Sequence, residues 1–378
     1  MDAKKPRARE LGLPLSGTSG PHNAITDVPG VKVGFCTLRQ LALRPDDFQV
    51  YTGVTAVLPR GDDISALPVW AGQFNLNGNG EMTGTHWIHD AGYFIGPICL
   101  TNTHSVGIVH QAAVRFMIEK YPTDFRDHHG WAMPVVAETY DGLVNDICGL
   151  HIGEQHALKA LHSARGGPVA EGNVGGGAGM ATYEFKGGTG TSSRRFEIEG
   201  QTYTVGVLVQ SNFGARHELS VLGVPVGRLM PENAVLSQLA LPELGSIVVL
   251  IGTDVPLTPT QLARLAKRGA IGITRTGTSG GHYSGDLMLA FSVANPIRLP
   301  ALGERQPLLM SAEFLNDAHC DAVYQSAVAA VEESILNALC AAESVPTWKP
   351  RGHVLEAINH ERLLDAFRRH GGVGGVGG

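Results

Sequence analysis

Cysteine is scarce in this 378-residue chain: Cys36, Cys99, Cys148, Cys320 and Cys340 lie far apart, and no C-x-x-C occurs. An odd, scattered set argues against a disulfide framework or a cysteine zinc site and fits a reducing compartment. Long apolar stretches are also missing. The longest runs are a few residues, as in Ile247–Ile251, so no membrane span is expected. The N-terminus, MDAKKPRARELGLPLSG, lacks the apolar core of a secretory signal, and a cytoplasmic protein is expected. Basic charge is not in excess either. With 29 Lys+Arg against 35 Asp+Glu, the net charge of −6 speaks against a nucleic-acid partner.

Common ligand motifs are wanting as well. Neither GNVGGGAGM (172–180) nor KGGTGTSS (186–193) gives G-x-G-x-x-G, and no G-x-x-x-x-G-K-[ST] occurs, so a nucleotide cradle has little support. The stretch Glu81-Met-Thr-Gly-Thr-His86-Trp-Ile-His89-Asp90 does not have H-E-x-x-H spacing and reads as a polar structural turn rather than a metal site. His104, beside hydroxyls in TNTHS, reads as a satisfied hydrogen-bond partner. No metal or cofactor is expected.

Glycine is abundant, at 49 residues, nearly twice ordinary usage and without a fixed period, which indicates turns and close backbone approaches. Residues 1–20 read as a flexible arm and 371–378 as a disordered tail. Between them no linker separates two cores, so one domain is expected. Short strands fit Val31–Thr37, Val54–Leu58 and 203–210, and apolar spacing predicts helices over 106–120 and 154–164. Ser246–Gly252 and Leu287–Val293 read as strands buried on both faces. Thr258-Pro259 opens a helix expected to stop before Gly269; 313–341 and 354–369 read as further helices. Strands and helices interleave without regular βαβ alternation, which favours a layered α/β sandwich over a doubly wound sheet.

The polar groups at strand ends carry the chemistry. Gly245-Ser246 stands directly before a buried strand, which would hold the Ser246 hydroxyl on a rigid element. A preceding glycine removes bulk around the carbonyl that this hydroxyl would attack. An N→O acyl shift and hydrolysis would then leave Ser246 with a free α-amine, titrating near pH 8, that can serve as a general base. Ser284 and Asp286, two apart at another strand entrance, share a face, so Asp286 could orient the Ser284 hydroxyl. Asn212 ends a third strand with an amide donor, and Glu138 and Tyr140 end a fourth.

Together these segments resemble the self-processing L-aminopeptidase/D-esterase family, peptidase family S58, which includes the β-peptidyl aminopeptidases. The resemblance rests on PHNAITDVPGVKVG (21–34), GEMTGTHWI (80–88), LTNTHSVG (100–107), AETYDG (137–142), GNVGGGAGM (172–180), VQSNFGAR (209–216), LGSIVVLIGTD (244–254) and GTSGGHYSGD (277–286). It implies a four-layer αββα sandwich like that of N-terminal-nucleophile hydrolases but with different strand connectivity. It also implies self-cleavage between Gly245 and Ser246 into chains 1–245 and 246–378, assembled as a homotetramer of such pairs. By the same resemblance Ser246 is the nucleophile, and Ser284 and Asp286 orient and activate it, some members carrying Glu at the latter position. Asn212 and Tyr140 stabilise the oxyanion or position the carbonyl, and Glu138 pairs with the substrate ammonium. Trp131, ahead of the Glu138 strand, is a candidate pocket wall. The implied activity releases N-terminal residues from small peptides, amides or esters; an acyltransferase or a non-enzymatic binding protein on the same scaffold are the alternatives.

Overall fold

The computed structural model describes residues 5–44, 46–239, 245–297 and 307–370. Strands in the first half are β1 (Lys32–Gln40), β2 (Val50–Leu58), β3 (Val69–Gly78), β4 (Tyr93–Phe94), β5 (Ile98–Asn102) and β6 (Val135–Thr139). The short pair β7 (Ala181–Thr182) and β8 (Phe185–Lys186) precedes β9 (Gly188–Ile198) and β10 (Gln201–Asn212). After them come β11 (Ser246–Thr253), β12 (Gly285–Ser292), β13 (Val345–Pro346) and β14 (Val354–Leu355). The helices are α1 (Thr85–Ala91), α2 (Val106–Lys120), α3 (Glu154–His162), α4 (Val226–Leu229), α5 (Val235–Gln238), α6 (Pro259–Arg275), α7 (Cys320–Ala341) and α8 (His360–His370).

Two main sheets stack face to face. One has the order β1-β2-β5-β6 and the other β4-β3-β12-β11-β10-β9. Pairing is antiparallel except for β5 with β6 and β11 with β12. Val57, Leu100 and Ala137 from the smaller sheet meet Leu208, Leu250 and Leu289 from the larger one in the inner core. Outside the smaller sheet, Ala113 and Phe116 of α2 join Leu161 of α3. On the far face of the larger sheet, Leu265 of α6 and Ile335 of α7 complete the fourth layer. The αββα sandwich therefore follows from two sheets that each bury both faces.

That double burial explains why β11 is apolar without alternation. Ile247, Val249 and Ile251 pack under α6 and α7, while Val248 and Leu250 point into the inner core. Helix α2 spans the residues that its periodicity predicts. No helix among the described residues is long and apolar enough to cross a membrane.

Four expectations need correction. Helix α6 does not stop before Gly269; it runs to Arg275, because Gly272 is where α7 crosses closely, and a Cβ there would lie 2.5 Å from Val331 Cβ. The long helix starts at Cys320 rather than 313: Glu313 exchanges backbone hydrogen bonds with the Asn295 side chain, and Asn316 caps the turn that leads into α7. Residues 354–355 form a strand with 345–346, so the last helix begins at His360. The arm is not free over residues 5–20. Ala8 is fully buried and donates its N–H to Asn337 Oδ1, and Arg9 pairs at 2.9 Å with Glu333, which Arg194 also reaches at 2.7 Å. The arm's charges look solvent-directed in sequence, yet they satisfy a buried carboxylate of α7 that hydrophobic patterning does not register. Residues 1–4 and the tail at 371–378 lie outside the described residues.

Candidate active site

The ends of β10, β11 and β12 converge because their register is fixed by the apolar residues behind them. Asn212 stands opposite Ser246 as the last pair of the β10–β11 ladder, and Ser246 pairs in parallel with Gly285 at the start of β12. Ser246 Oγ donates to the Gly245 carbonyl oxygen at 2.8 Å. The Gly285 N–H points at both atoms, 3.3 Å from Ser246 Oγ and 3.3 Å from Gly245 O. Gly285 has no room for a side chain: a Cβ would lie 2.3 Å from the Asn79 carbonyl oxygen and 3.1 Å from Ser246 Oγ.

Ser284 Oγ donates to Asp286 Oδ1 at 2.6 Å, and both residues are buried. The aspartate reaches the hydroxyl without the extra methylene of a glutamate. Its second oxygen, Oδ2, accepts from Asn77 Nδ2 at 2.9 Å. Asn77 comes from β3, where a one-residue bulge sets it opposite Asp286. Burial raises the Asp286 carboxyl above its ordinary range, and the Ser284 and Asn77 donors partly offset that rise.

The Asn212 side chain is held at both ends. Its Oδ1 accepts from the Ala181 N–H at 2.8 Å, and its Nδ2 donates to the Tyr140 carbonyl at 3.0 Å. Tyr140 follows β6 and is partly exposed; burial raises its phenol, with Cys148 and Asp141 adding to the effect.

Glu138, on β6, is buried, with Oε1 accepting from the Glu81 N–H at 3.0 Å and Oε2 from the Thr103 hydroxyl. Burial is the main cause of its raised pKa; Thr103, the Glu81 N–H and the charge of nearby His104 act the other way. The two sheets meet here across Gly80: a Cβ on that residue would lie 3.1 Å from Glu138 Oε1 and 3.8 Å from Gly285 Cα. Trp131 is about half exposed on the loop before β6.

The structure thus brings Ser246, Ser284, Asp286, Asn212, Tyr140 and Glu138 to one end of the sandwich. It adds Asn77, which lies outside every quoted segment, and Glu81 (through its amide), Thr103 and Gly285, which lie within quoted segments but whose side-chain types or spacing assign them no role. His104, read from sequence as a hydrogen-bond partner of its neighbours, lies within electrostatic reach of Glu138. Gly277-Thr-Ser279-Gly-Gly281 spells the G-x-S-x-G of a nucleophile elbow, but it follows helix α6 and precedes strand β12, the reverse of the strand-to-helix turn that an elbow needs.

Known proteins resemble this chain over nearly its whole length. The family model of peptidase family S58 matches residues 23–352. The β-peptidyl aminopeptidase BapA of Sphingosinicella microcystinivorans is 45% identical over 382 residues, covering 97% of this chain and 93% of its own length. Its namesake from Sphingosinicella xenopeptidilytica is 42% identical, covering 90% and 86%. Among solved structures, the L-aminopeptidase D-Ala-esterase/amidase of Ochrobactrum anthropi, a variant of the Ntn hydrolase fold, superimposes with a TM-score of 0.91 at 49% identity, covering 97% of this chain and 99% of that one. A Burkholderia sp. β-aminopeptidase gives 0.88 at 44% identity, with the same coverage. The chain therefore belongs to peptidase family S58.

Proposed function

We propose that this chain is an autoproteolytically activated serine aminopeptidase: one catalytic domain that cuts itself into residues 1–245 and 246–378. The contact between Ser246 Oγ and the carbonyl group of Gly245 carries the reading, because it joins the nucleophile to the bond it would break. Attack of Oγ on the Gly245 carbonyl carbon forms an ester as the Gly245 C–Ser246 N bond breaks. Water then hydrolyses the ester, leaving the Gly245 carboxylate and a Ser246 with both hydroxyl and α-amine free.

In the mature enzyme Ser246 Oγ attacks the substrate carbonyl, and its proton passes to the Ser246 α-amine or into the Ser284–Asp286 pair. The departing amine takes up that proton, and water releases the acyl group. Asn212 Nδ2 and the Gly285 N–H supply donors for the oxyanion, and Tyr140 positions the carbonyl. Glu138 pairs with the substrate ammonium. A carboxylate already desolvated and braced by Thr103 and the Glu81 amide is preorganised to hold such a cation, which selects free amino termini. The substrates are small peptides, amides or esters with a free amine, the working form is a cytoplasmic homotetramer of cleaved pairs, and the scheme calls on no cofactor.

A denaturing gel tests the scheme. Two bands of about two-thirds and one-third of the chain are expected, the smaller beginning Ser-Ile-Val-Val-Leu, with Ser246→Ala uncut and inactive. A single intact band in active protein would overturn it.

A further inference from the structure

The β7–β8 hairpin contains a residue that the site does not obviously require. Tyr183 is fully buried and sits at φ 51°, a left-handed conformation that costs energy for a side chain of this size. Its environment maintains that conformation. The backbone N–H donates to the Phe213 carbonyl at 2.7 Å, one residue past Asn212, and the ring meets Phe213 edge-on at 5.0 Å. Arg216 Nε donates to the Tyr183 carbonyl at 2.9 Å.

The hydroxyl faces the other way, toward the loop that carries Ser284. Thr276 Oγ1 lies 2.7 Å from it, and the Thr276 hydroxyl hydrogen is already committed to the Ile273 carbonyl. Tyr183 is therefore the donor to Thr276, and its oxygen is left to accept the Thr278 N–H at 3.2 Å. Thr276 and Thr278 are buried and open the loop that ends at Ser284. Two residues before Tyr183, the Ala181 N–H holds Asn212 Oδ1.

We infer that Tyr183 is a positioning residue: a strut that sets the distance between the oxyanion donor Asn212 and the Ser284–Asp286 pair. One side chain spans both supports. Its backbone end fixes the β10 terminus and the hairpin that aims Asn212, and its hydroxyl end fixes the entrance of the Ser284 loop. In the cleaved enzyme it would also cross from one fragment to the other, since residue 183 precedes the cut and the loop follows it. The inference rests on the catalytic roles proposed above for Ser246, Asn212 and Ser284.

Tyr183→Phe keeps the ring and removes the strut's far contact. Misplacing catalytic groups by about 1 Å can cost roughly a hundredfold, so kcat is expected to fall about tenfold to a hundredfold with KM within about twofold, and self-cleavage to slow in parallel. Thr276→Val, which removes the acceptor, should reproduce the loss, and Thr276→Ser, which keeps it, should restore kcat. Thermal unfolding of each variant separates this from general loosening. A lowered Tm with kcat unchanged overturns the inference, as does Thr276→Val with full kcat if Tyr183→Phe does not fold. Ser246→Ala run alongside keeps the two claims apart: activity in that variant defeats the underlying reading, whereas an inactive Ser246→Ala beside a fully active Tyr183→Phe defeats the strut alone.

Discussion

Asn212 and Ser246 face each other across the β10–β11 ladder, so the amide and the hydroxyl are carried on two hydrogen-bonded strands rather than on loops. Their separation is set by backbone pairing, and the Asn212 rotamer by the Ala181 N–H and the Tyr140 carbonyl. In the proposed role as oxyanion donor, an amide held this way needs no reorganisation when the oxyanion forms. Removing one preorganised donor of this kind costs about 3–4 kcal/mol in the transition state. Asn212→Ala is expected to lower kcat by roughly two to three orders of magnitude and to slow self-cleavage, with KM little changed. Single-turnover kinetics on mature enzyme, with the precursor followed on gels, checks both. A kcat within about threefold of the parent would remove Asn212 from the oxyanion site.

In the proposed mechanism Asp286 gives the reaction an acid limb whose position can be moved. The ionised carboxylate accepts from Ser284, and its pKa is raised by burial, so activity is expected to fall with decreasing pH at a higher pH than an exposed aspartate would dictate. Asn77 donates to the charged form and so holds that pKa down. Asn77→Ala should therefore shift the acid limb of kcat/KM upward in pH, and Asp286→Asn should abolish it together with most activity. An acid limb that stays in place in Asn77→Ala would show that Asp286 does not set it.

Glu138→Gln keeps the shape and removes the charge. A hydrogen bond to an ionised partner contributes about 1.5–3 kcal/mol against roughly 1 kcal/mol for a neutral one. KM for free-amine substrates is expected to rise by about tenfold or more, with the weak turnover of N-acylated analogues unchanged. Equal losses on both substrate classes would deny Glu138 its ammonium.

How much of this was legible in the sequence depends on distance along the chain. The five-residue apolar run after Ser246 announces a strand buried on both faces, and the i, i+2 spacing of Ser284 and Asp286 places their side chains together. Asn77 could not be found that way. It lies 209 residues from Asp286 and faces it only because of a bulge in β3, which no alternation pattern reveals. Thr103 and the Glu81 amide serve Glu138 from two of the quoted segments, but nothing in their spacing along the chain pairs them with residue 138. The arm misled for the opposite reason: Arg9 reads as solvated until Glu333, buried on α7, supplies its partner.

Asp141 offers a test of the polar layer behind the site, independent of catalysis. It is fully buried beside Tyr140, and its carboxyl is pushed up to about 6 from 3.8, chiefly by burial, with Thr52, Asn145 and Asn102 partly offsetting the rise. A folded-state pKa above the unfolded one means that the folded protein favours the protonated acid. That stabilisation is complete below about pH 4 and is lost as pH rises through about 6. A shift of about two units corresponds to roughly 3 kcal/mol. Asp141→Asn cannot ionise, so its stability relative to the parent should improve by that order between about pH 4 and pH 7. Urea unfolding in an uncut Ser246→Ala background, which keeps the chain in one piece, measures the difference. Parallel pH profiles for the two proteins would mean that Asp141 titrates alike in the folded and unfolded chains, so that its neighbours offset burial fully and its pKa is not raised in the fold.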